Sequence, residues 1–95
     1  METFVILRRN AWQTPAELQA AAARSTAVGE TMPDAVRWIR SYVVREADGQ
    51  LATCCIYQAR DAAAAREHAG LAGMRADEVL PVVDTVIVRP DPLAA

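Results

Sequence analysis

Trp38, Arg40 and Tyr42 recur at every second position of one strand-like stretch, and Thr53, Cys55 and Tyr57 do the same in the next. Successive side chains of a strand point to opposite faces, so each set is expected to share one. A guanidinium between two aromatic rings suits a carboxylate or enolate, because it offers paired planar donors against apolar walls. Tyr57, or His68 further along, could then move protons. The plainer reading makes Arg40 an edge-strand charge that discourages aggregation. Tyr42 and Tyr57 would then pack on a covered face with satisfied hydroxyls. Cys55 on that face is a small thiol, inert by default. Trp12, ahead of the first helix, is either a lid or an anchor for its loop.

His68 is the sole histidine. A helical metal pair needs a second donor three or four residues away. Those positions hold Ala64, Ala65, Leu71 and Ala72. Near a helix C-terminus its imidazole would instead meet exposed carbonyls. Cys54 and Cys55 are adjacent, so on a strand they face opposite ways and cannot grip one ion. Unpaired thiols, and no signal-like stretch over residues 1–9, point to the cytoplasm. Asp77, Glu78 and Asp84 are possible oxygen donors, although Asp84 also reads as a protective edge charge. The sequence carries no Gly-rich phosphate loop, no Ser-His-Asp order and no zinc spacing.

A net charge of −2 and a pI near 5.3 argue against a nucleic-acid or membrane-surface binder. No apolar run is long enough to span a bilayer. All ten basic residues are Arg, which removes Schiff-base lysine chemistry. Twenty of the 95 residues are Ala, so a core would be built of small groups. At about 25 cal/mol per Å² such groups stabilise weakly, and a homodimer is expected.

The elements that must position these residues are legible. Residues 3–9 read as a strand. Thr14-Pro15-Ala16-Glu17 is a helix start: a capping hydroxyl, a proline at the first turn and a reciprocal Glu. That helix should fail near residues 29–33. A hairpin follows, residues 36–45 and 51–58, turning at Asp48-Gly49. Asp61 caps a second helix over residues 62–69, which Gly70 and Gly73 end. A short turn over residues 76–80 leads to a last strand at residues 82–89. Residues 90–95 form a frayed tail. The order β-α-β-β-α-β predicts one α+β domain over residues 1–95, a ferredoxin-like four-stranded antiparallel sheet with both helices on one face. Strand alternation would put Ile39, Val43, Cys54 and Ile56 under the helices. Trp38, Arg40, Tyr42, Cys55 and Tyr57 would face away, too aromatic to stay wet.

The segments Thr14-Pro15-Ala16-Glu17-Leu18, Val36-Arg37-Trp38-Ile39-Arg40-Ser41-Tyr42-Val43, Cys55-Ile56-Tyr57-Gln58-Ala59 and Arg66-Glu67-His68-Ala69 also carry a family resemblance. With Gly73, Ala76-Asp77, Val79 and Thr85-Val86-Ile87, the chain resembles a small ferredoxin-like family of actinobacterial type. That family was long catalogued as a domain of unknown function, and one member is described as a nickel-binding dimer. The resemblance implies a small metal-binding protein with Ni²⁺ near His68, Glu67 and other oxygen donors completing the shell. Where relatives often carry Glu and His, this chain has Leu7 and Arg40. The alternative is an enzyme without an organic cofactor, an isomerase, cyclase or oxygenase. Its pocket would be lined by Leu7, Trp38, Arg40, Tyr42, Cys55 and Tyr57, with Arg40, Tyr57 and His68 in catalysis.

Overall fold

The computed structural model describes residues 1–92. Its elements are β1 (Glu2–Trp12), α1 (Pro15–Glu30), β2 (Val36–Arg45), β3 (Leu51–Ala59), α2 (Ala62–Leu71) and β4 (Glu78–Pro81). The strands form one antiparallel sheet in the order β2-β3-β1-β4, and both helices lie against one face. This is the ferredoxin-like plan.

The helix starts follow the capping chemistry. Glu17 N donates to Thr14 Oγ1 at 3.2 Å, while Glu17 Oε2 accepts from the backbone N of Gln13 at 2.8 Å, one residue before the cap. Ala64 N donates to Asp61 Oδ1 at 2.7 Å. In the hairpin Gly49 has φ +88°, a left-handed conformation that strains any residue with a Cβ.

The last strand lies earlier than predicted. β4 is Glu78–Pro81, paired with β1 from Leu7 to Phe4, and Val82 N adds one bond to Thr3 O at 2.9 Å. β1 begins at Glu2, so residues beyond Val82 run past the end of their only neighbour. β-Branched propensity without a partner strand makes no sheet. The chain instead crosses the helix-free face of the sheet, where Asp91 accepts from Arg40 Nη1 and the Tyr42 hydroxyl. The tail over residues 90–92 is thereby tied down at Asp91; residues 93–95 lie outside the described residues.

The face assignment also needs correction. Under the helices lie Phe4, Ile6, Cys55, Tyr57 and Ala59, packed on Ala64 and Ala65. Cys54 and Ile56 therefore point away from the helices. In β2 the pairs Trp38↔Tyr57 and Arg40↔Ile56 leave one extra residue, Ile39. That bulge flips the alternation: Trp38 faces the helices with Tyr57, whereas Arg40 and Tyr42 face away with Ile56 and Cys54. β1 is irregular too. Its span from Arg8 to Trp12 opposes only Thr53 to Leu51, with Asn10 at φ 45° absorbing the slack, so Arg8 and Trp12 both stay on the helix side.

Candidate binding cleft and the buried polar cluster beneath it

The helices do not reach across the whole sheet. β2 is an edge strand, and between it and α1 opens a cleft of about 430 Å³. One wall is Leu18, Gln19 and Ala22 of α1. The other is Trp38, Ile39, Arg40, Ser41 and Val43 of β2, and Thr53, Cys55 and Tyr57 form the floor. Trp12 and Met74 belong to the same lining, and both pack in the cluster around Ala21 and Leu51. Trp12 is thus an anchor that also lines the cleft. The Trp38 ring lies parallel to Tyr57, 3° between planes and 6.0 Å between centroids, yet Trp38 remains 39% exposed. Its pairing with Tyr57, ahead of the bulge at Ile39, sets this indole on the helix side.

A polar cluster is buried beside the floor. Tyr57 places its hydroxyl 3.0 Å from Ser25 Oγ of α1. His68 Nε2 lies 3.0 Å from the Ser25 carbonyl. A carbonyl only accepts, so Nε2 carries the proton and Nδ1 keeps a lone pair, buried and without a partner among the described residues. Burial depresses the proton affinity of His68, and the nearby Arg8 charge depresses it further, against the opposing pull of the Ser25 carbonyl. Burial likewise pushes the Tyr57 phenol up, partly offset by Ser25 and Arg8. Arg8 is wholly enclosed, its Cζ 5.9 Å from the Tyr57 ring centroid, and Nη1 donates to the Arg75 carbonyl at 2.7 Å.

The residues singled out from the sequence are divided between two faces. Trp38, Cys55 and Tyr57 meet at the cleft, and His68 stands 5.5 Å from Tyr57, ring to ring. Leu7, Arg40 and Tyr42 lie on the helix-free face, with Leu7 and Tyr42 both paired to Cys54. Of the proposed trio, Arg40 and Tyr57 both border the cleft, but the Arg40 guanidinium turns to Asp91 and His68 is not in the lining. Arg40 does grip a carboxylate, but it belongs to Asp91. Glu67 is exposed while His68 is buried. Arg8 and Ser25 were missed, although Arg8 follows Phe4 and Ile6 at the inward positions of an apolar strand, a signal visible in the sequence.

A family model described as nickel responsive protein SCO4226-like matches residues 4–82, most of the chain. The chain belongs to that family. A crystal structure of SCO4226 from Streptomyces coelicolor A3(2) superimposes with a TM-score of 0.72 at 20% identity, covering 88% of this chain and 99% of that one. At that identity the likeness establishes the shared fold. No curated protein matches significantly. Family membership makes this a small protein linked by its family to nickel.

The residues present do not suit a nickel ion at His68. Nickel favours several nitrogen and oxygen donors in a regular shell. His68 Nε2 is engaged, its free Nδ1 shares its surroundings with a cation, and Glu67 is exposed on the helix surface. Among the described residues no three His, Cys, Asp or Glu side chains are grouped to hold a metal. On the other face, Leu7 offers no donor and Arg40 a positive charge. No helix of the described residues is long and apolar enough to cross a membrane.

Proposed function

We propose that this chain is a small binding protein whose ligand, a molecule with an aromatic or apolar body, seats in the cleft between α1 and β2. The observation that carries this reading is Trp38, held parallel to Tyr57 yet open to the cleft. Large apolar side chains left uncovered inside a concavity are what ligand sites are made of. Binding is favoured over turnover because the Arg40 guanidinium is paired with Asp91, and Tyr57 and His68 are both engaged with Ser25. The neutral dye N-phenyl-1-naphthylamine tests it. Saturable fluorescence enhancement near one dye per chain is expected, and Ala22→Trp, which fills the α1 wall, should abolish it with the circular dichroism unchanged. No saturation, or undiminished binding in Ala22→Trp, overturns the reading.

The protein acts as a homodimer in this proposal. Val83, Val86, Ile87 and Val88 are each at least three-quarters exposed, an apolar stretch that a second copy would cover. A dimer is expected by sedimentation at micromolar concentration; a monomer would contradict it. The two free thiols, Cys54 and Cys55, support a reducing, cytoplasmic setting.

A second reading, favoured by the family match, has the protein bind Ni²⁺ directly, with His68 and Glu67 as the first donors. The donor geometry argues against it in this chain. Calorimetric titration of about 100 μM protein with Ni²⁺, a concentration that reveals even weak sites, should give no saturable heat. A saturable heat lost in His68→Ala would reverse the ranking.

A further inference from the structure

We propose that Arg8 makes the cleft a receptor for organic anions: a carboxylate or sulfonate of the ligand pairs with Nε and Nη2 of Arg8, while its apolar body lies along Trp38 and Tyr57. This rests on the cleft being the ligand site and adds the class of ligand.

Arg8 is 0% exposed, and its side chain is a guanidinium. A buried charge is costly unless paired and fully hydrogen-bonded. Among the described residues Arg8 meets neither condition. Nη1 is satisfied by the Arg75 carbonyl, but Nε and Nη2 are buried without a partner. Among the described residues the ion pairs are Arg9–Glu46, Arg40–Asp91, Arg60–Asp61 and Arg75–Asp77, and none includes Arg8. The two orphan atoms are not arbitrary. Nε and Nη2 share one edge of the guanidinium plane, the edge a carboxylate takes with two parallel hydrogen bonds. The polar side chains that feel its charge are a phenol and an imidazole that burial keeps neutral, so neither brings a carboxylate to neutralise it.

The route is short. Arg8 pairs across the sheet with Thr53 of the floor and stands beside the Tyr57 ring, another floor residue. Met74, in the lining, immediately precedes Arg75, whose carbonyl holds Nη1. Arg8 is itself outside the lining, and the unbranched thioether of Met74 is the readily moved side chain on that route.

Two dyes with one ring skeleton test this: neutral N-phenyl-1-naphthylamine and its sulfonate, 1-anilinonaphthalene-8-sulfonate. The wild-type chain should bind the sulfonate at least about tenfold more tightly, the lower end for a charge-assisted pair. Arg8→Met should erase that preference and keep the neutral dye. Absence of neutral-dye binding in the wild type defeats the cleft reading itself. Neutral-dye binding with no sulfonate preference, or a preference that survives Arg8→Met, defeats the anion inference alone. If Arg8→Met does not fold, competition on the wild type decides the matter. Benzoate should then displace the neutral dye where benzyl alcohol does not, and equal displacement overturns the proposal.

Discussion

Replacing Tyr57 with Ala should lower the free energy of unfolding by about 3–5 kcal/mol, the range for deleting a large buried aromatic. Tyr57 is 1% exposed and ties three elements together: Trp38 of β2, Ser25 of α1 and His68 of α2. Its neighbours cannot close the gap. Ala59, Ala64 and Ala65 are already the smallest side chains with a Cβ, so the site stays a cavity. A domain of this size has only about 5–15 kcal/mol in hand, so the variant should sit close to its unfolding threshold. Tyr57→Phe keeps the ring and strands Ser25 Oγ, a loss of roughly 1–3 kcal/mol. Urea titration followed by circular dichroism measures both. Equal losses in the two variants would mean that the hydroxyl, not the ring, is what Tyr57 contributes.

The same residue shows what a sequence gives up and what it withholds. Thr14, Asp61 and Asp48-Gly49 announce their roles because caps and tight turns are local chemistry. Strand order followed from β-α-β-β-α-β for the same reason: short connections leave few topologies. Facing is another matter. Parity holds only while a strand stays regular, and Ile39 is an extra residue with nothing in its type to mark it as a bulge. One such insertion moves every later side chain to the other face. Trp38, before it, stays in the inward row with Tyr57, whereas Arg40, after it, stands opposite outward Ile56 and sends its guanidinium to Asp91. In β3, where no bulge intervenes, alternation alone could not say which row was inward, because Cys54 and Ile56 are as apolar as Cys55 and Tyr57. The tie was broken by the Tyr57–Ser25 hydrogen bond, a contact 32 residues apart in sequence.

The misplaced last strand has a different origin. Residues 82–88 have strong β character, but a strand needs an edge to pair with, and β1 had run out. Its exposed valines are the same residues that support a second copy. Local propensity and tertiary opportunity part company there, which is why the stretch is apolar without being covered in one chain.

His68 yields the sharpest pH dependence. In the unfolded chain its imidazole titrates near 6.5, whereas burial and the Arg8 charge hold the folded group lower. Below pH 6.5 the unfolded chain therefore takes up a proton that the native state refuses. Stability from this group is complete above that pH and falls as the pH drops, by up to about 1.4 kcal/mol per unit, until the folded imidazole itself charges. Glu46, Asp77 and Asp91 also have depressed values, but their ordinary values are 4.5 and 3.8, so their losses begin at more acidic pH. The window between about 6.5 and 4.5 thus belongs to His68. The groups facing it are Arg8, Tyr57 and the Ser25 carbonyl, and burial holds the Tyr57 phenol above its ordinary value, far from this window. Denaturant titrations at pH 7.5, 6.5 and 5.5 should show the loss in the wild type. His68→Gln, whose amide can still donate to Ser25, should be flat across the same range. A slope that persists in His68→Gln would assign the titration elsewhere and remove the case for a neutral imidazole beside Arg8.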